Sequence, residues 1–223
     1  ARSQGGALIG LNAPGKPSLL RETVVYTDRG FYGDFKNPVG REHPTSASGS
    51  DDIEPDLSFE RAGEKLIVTV EGTLRNPYAG YRTVQRPITR TRLRYTFDSG
   101  PEVGVEVSAL PPMAVNVPVF LAQRLHLAGV RRWWAGDQEH AASETNADRV
   151  WQSRNTPLPA GAGLRFEGDG KLAMAGIELP EGFDNLFVFD SGGGRMTLFA
   201  APRDGSPVPE REWITFRYRL RAE

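Results

Sequence analysis

The sequence predicts an all-β chain folded as a large antiparallel β-sandwich. Apolar residues recur with a period of two almost throughout. Turn chemistry separates these runs at short intervals, and the alternation of strand and helix that parallel sheets require is missing. The 223 residues are 39% hydrophobic and 25% charged, an ordinary globular composition that can form a core without staples. One domain spanning 1–223 is expected, because sandwiches of this size are routinely single.

Strands are expected near Ala7–Leu11 and over Leu19–Tyr26. In "LIVTVEGTL" at 66–74, Leu66, Val68, Val70 and Leu74 share one face, with Thr69, Glu71 and Thr73 on the other. The clearest element is "TRTRLRYTFDSGPEVGVEVSAL", in which Asp98–Pro101 supplies the turn. Register follows from pointing both apolar faces the same way. Phe97 then opposes Val103, Tyr95 opposes Val105, Leu93 opposes Val107, and Arg94 meets Glu106 on the wet face.

Further hairpins are expected at 164–178 around "GDG" and at 185–200 around "SGGG". The last run alternates Ile214, Phe216, Tyr218 and Leu220 with Thr215, Arg217, Arg219 and Arg221. Residues 119–127 suit either a helix or a strand, and 137–146 have room for one short helix. The total is roughly ten to twelve strands. Residues 28–58 and 136–162 read as long irregular connections, which in compact domains are usually functional or mobile.

Composition excludes several functions. With 27 basic and 28 acidic side chains the net charge is −1, whereas a nucleic-acid binder normally carries a basic excess. No apolar run approaches the ~20 residues of a bilayer span, so no membrane partner is expected. Cysteine is absent, which removes disulfides, thiolate metal sites and thiol nucleophiles. A start at Ala1 rather than Met fits either a chain trimmed of a signal peptide, with a periplasmic or secreted address, or a domain excised from a longer protein.

His43, His126 and His140 lack the close spacing of a zinc site, so no metal is expected there. Asp51, Asp52, Glu54 and Asp56 have a calcium-loop composition without the EF-hand pattern, and an acidic solvated loop is the preferred reading. A nucleophile elbow, a P-loop and a dinucleotide fingerprint are all missing, and no cofactor is expected.

The stretch "GVRRWWAGDQEH" is the main candidate site. If extended, it turns Trp133 and Arg131 to one side and Trp134 and Arg132 to the other. One indole enters the core and the other stays accessible, able to stack on the C–H face of a sugar while charged groups bond its hydroxyls. Asp137, Glu139 and His140 are the acid–base candidates. In the alternative reading both indoles are packed. A second candidate is "TDRGFYGDF", where Asp28, Arg29, Tyr32 and Asp34 stand among glycines; an Asp–Arg pair closing that loop is the structural alternative.

The layout resembles the supersandwich of galactose-mutarotase-like domains. "GGALIGLN…GKPSLL" is similar to the first hairpin of that family, "TRLRYTF…VGVEVSAL" to its long central hairpin, and "LAQRLHLAGVRRWWAGDQE" to an aromatic-Gly-acid segment near the sugar. The resemblance implies association with carbohydrate. It does not transfer an activity, since the catalytic histidine pair and glutamate of aldose epimerases have no counterpart here. The rival expectation is a non-catalytic interaction or assembly module, with the two tryptophans in an interface and an oligomer as its consequence.

Overall fold

The computed structural model describes residues 6–28, 47–48, 54–75, 87–110, 120–143, 155–159, 161–190, 192–202 and 212–223. These hold β1 (Leu20–Asp28), β2 (Ala47–Ser48), β3 (Asp56–Ala62), β4 (Lys65–Arg75) and β5 (Pro87–Phe97). Next come β6 (Glu102–Leu110), β7 (Phe120–Leu127), β8 (Arg132–Ala135), β9 (Gln138–Ala141) and β10 (Asn155–Pro157). The chain closes with β11 (Leu164–Glu167), β12 (Lys171–Glu178), β13 (Phe183–Asp190), β14 (Arg195–Pro202) and β15 (Ile214–Ala222). No helix occurs among the described residues, and the pairings are antiparallel.

The strands form two sheets joined at one edge by the two-residue β2. One runs β10-β13-β14-β7-β1 and the other β4-β5-β6-β15-β12-β11-β8-β9, with β3 paired to β4. Alternation decides which sides meet. Tyr95, Val105, Phe216, Tyr218, Leu220, Met174, Phe166 and Trp133 point inward from the larger sheet, against Val25, Leu125, Val188, Met196 and Leu198 of the smaller. Tyr218 is sealed, and its hydroxyl donates to Gln123 Oε1 of β7 at 2.8 Å. Burial of Tyr95 pushes its phenol up to about 12, and burial raises that of Tyr218 as well.

The β5–β6 hairpin has the expected register, Phe97 to Val103, Tyr95 to Val105 and Leu93 to Val107. Its turn is held by the Gly100 N–H donating to Asp98 Oδ1 at 2.8 Å. The β11–β12 and β13–β14 hairpins also form where turn residues predict them.

Other expectations change. Residues 7–11 form no strand; Leu8 is tied to β1 through Thr23, which supplies a backbone N–H and a hydroxyl oxygen. Residues 120–127 are strand β7, hydrogen-bonded on both sides, so the helical option fails. In the 137–146 stretch, Gln138–Ala141 form β9 rather than a helix, because Gly136 at φ 61° turns the chain back onto β8. Fifteen strands lie among the described residues, in part because the stretches read as irregular connections contribute β2, β9, β10 and the start of β3. Leu66 stays exposed at 37%, beyond the end of the core that Val70 enters.

Candidate functional site

The outer face of the larger sheet carries Trp134, Arg132 and Glu139 of the candidate stretch. It takes every residue that alternates with the core positions, and register arranges them in rows across the strands. One row reads Glu139, Trp134, Arg165, Ala173 and Arg221 over β9, β8, β11, β12 and β15. Beside it, Arg132 opposes Glu167.

The two tryptophans of the central stretch part as alternation requires. Trp133 is 3% exposed, and its indole stacks on His140 at 4.2 Å with planes 17° apart. Trp133 Nε1 and His140 Nε2 are buried and bond to no described residue. Trp134 points outward and is half-buried. The guanidiniums of Arg132 and Arg165 lie 5.4 and 5.3 Å from its ring, within cation–π range.

Ion pairs hold Arg132 in place. Arg132 donates to Glu167 at 2.7 Å and lies 3.7 Å from Glu139. The bond from Arg132 holds the Glu167 carboxyl below the usual carboxylate range. Arg131 does something different. It donates to Asp169 at 3.0 Å and to the Gly168 carbonyl at 2.6 Å, clamping the β11–β12 turn.

The three acid–base candidates do not converge. Asp137 is exposed in the β8–β9 turn, Glu139 points to the outer face, and the His140 ring lies inward against Trp133. Among the second group of candidates, Asp28 ends β1 of the smaller sheet opposite Phe120. Arg29, Tyr32 and Asp34 lie outside the described residues, as do Asp51 and Asp52. Among the described residues, no three His, Asp or Glu side chains gather closely enough to hold a metal ion.

Further along the same face lies a groove that sequence reading missed. Arg94, Thr96, Glu106, Glu178, Arg217 and Arg219 surround a cavity of about 390 Å³ floored at Gly104. At the far end, Arg92 packs 4.6 Å over the ring of Trp213 and pairs with Glu71 at 2.7 Å. The signal was present as arginine at alternate positions in 90–94 and 217–221. Its meaning depended on β6, which lies between those strands and places Gly104 among the arginines.

No protein-family model matches the chain, and no curated protein matches it by sequence. Among solved structures it aligns with a galactose 1-epimerase from Lactobacillus acidophilus NCFM at 12% identity and a TM-score of 0.48, covering 99% of this chain and 89% of that one. A galactose mutarotase-like protein from Lactobacillus casei ATCC 334 aligns at 8% identity and 0.47, covering 99% and 95%. One from Clostridium acetobutylicum aligns at 8% and 0.43, covering 92% and 80%.

Proposed function

We propose that this chain binds carbohydrate on the outer face of its larger sheet, with Trp134 as the stacking platform. The half-exposed Trp134 indole carries the reading, because it sits in a cross-strand row between Glu139 and Arg165 with Arg132 beside it. A flat apolar ring ringed by donors and acceptors suits a pyranose, which offers C–H groups on its face and hydroxyls at its rim. A sugar that displaces one guanidinium from the ring gives up a contact worth about 0.5–1 kcal/mol at an exposed site, and the freed arginine can bond a hydroxyl. Binding is favoured over chemistry because Asp137, Glu139 and His140 face different ways.

Calorimetric titration against neutral and uronic oligosaccharides tests this. Binding accompanied by a tryptophan fluorescence change is expected. Trp134→Ala should weaken it by about 2 kcal/mol, some thirtyfold. Failure of every sugar to bind, with flat fluorescence, would contradict the reading.

A second reading, assembly through an interface, is favoured by a different observation. β3, which among the described residues pairs only with β4, leaves Phe59 68% and Leu57 36% exposed on the same side as Leu66, and an edge strand of this kind is open to pairing with another chain. Concentration-dependent light scattering that Phe59→Lys abolishes would support it, and a monomer at all concentrations would not.

A further inference from the structure

We infer that the groove between β5, β6, β15 and β12 is a subsite for a carboxylate-bearing sugar, with Arg94 receiving the carboxylate. The inference deepens the carbohydrate reading and rests on it for the sugar ring. The need for a carboxylate rests on the groove alone.

Register places one acid between two bases. Glu106 of β6 lies opposite Arg94 of β5 and also opposite Arg217 of β15. Its carboxylate accepts from Arg217 Nε at 2.8 Å, and Arg217 lies 3.9 Å from Glu178 on its other side. Arg219 is braced by Glu102 at 3.5 Å. Arg94 keeps no hydrogen bond, ion pair or ring contact among the described residues, although it is only partly exposed. Its planar fork of donors matches a carboxylate.

The space beside it is built by what is missing from the next row. Gly104 lies between Arg219 and Thr96 and leaves the floor bare. The ladder between β12 and β15 is interrupted between Ala175 and Glu178. There Gly176, at φ 59°, lets the strand bow away, and a Cβ on it would stand 2.9 Å from Arg219 Nε. The resulting 390 Å³ is within the range of small-molecule sites. Arg217 and Arg219 are engaged by carboxylates, whereas the donors of Arg94 are engaged by none of the described residues and face the groove. One carboxylate fits that single fork. A dianionic phosphate would bring surplus negative charge beside Glu106 and Glu178.

Titration with glucuronate, glucose, acetate and inorganic phosphate at low and high salt tests the assignment. Glucuronate is expected to bind more tightly than glucose or acetate, and to weaken as salt rises. Arg94→Gln should cost about tenfold or more in glucuronate affinity, while neutral oligosaccharides still perturb Trp134. Should Arg94→Gln fail to fold, Gly104→Val fills the same floor and should have the same effect. Glucuronate binding no better than glucose, binding indifferent to both variants, or binding of phosphate alone would overturn the inference. Uronate binding that survives the loss of neutral-sugar binding would contradict the Trp134 platform and leave the groove standing.

Discussion

His126 shows how one side chain couples burial to acidity. It lies on β7 opposite both Glu22 and Arg195. Its Nδ1 is 3.2 Å from a Glu22 oxygen, and its buried Nε2 bonds to no described residue. Burial, the largest influence, holds the imidazole below its ordinary value against the pull of Glu22, while Arg124 and Arg195 lower it further. A neutral ring donating from Nδ1 satisfies this site, whereas a second proton would put an unpartnered N–H in the interior. Because the folded value is depressed, the unfolded chain takes up the proton first as pH falls. The stability that His126 contributes is therefore complete above the ordinary value of about 6.5 and is lost as pH falls toward the folded value. Urea midpoints measured on both sides of that window should fall more in the wild type than in His126→Gln. Equal falls would refute the assignment.

At the scale of elements, what could be read from the sequence depended on how local the deciding contact is. The β5–β6 register was legible because its two apolar faces and its turn occupy one continuous stretch, and a slip by one residue would bury arginines. The partner of Glu106 was not. Arg94 opposes it as expected, yet its carboxylate turns to Arg217, more than a hundred residues away in sequence (|i−j| = 111). Short strands were also hidden, since β8 and β9 span four residues each and gain their pairing from β11 and from the turn at Gly136. The separation of Trp133 from Trp134 was readable from alternation alone. That Arg165 would complete the surroundings of Trp134 was not, because nothing local places β11 beside β8.

For the whole molecule, the two sheets are joined through their apolar faces. The Tyr218–Gln123 bond crosses the interior between β15 and β7. Tyr218→Phe should lower unfolding free energy by about 1 kcal/mol, the worth of a buried hydrogen bond. Denaturant titration would show this as a lower midpoint with an unchanged slope. Because the inner faces are committed to this packing, the proposed ligand surface is an outer one, and on the larger sheet it includes the Trp134 row and the Arg94 groove. The most direct measurement is the indole N–H spectrum of the protein, whose four tryptophans are 133, 134, 151 and 213, during titration with an oligosaccharide. The Trp134 signal is predicted to shift in proportion to occupancy while that of sealed Trp133 stays in place. A bound sugar that leaves Trp134 unmoved would contradict the account.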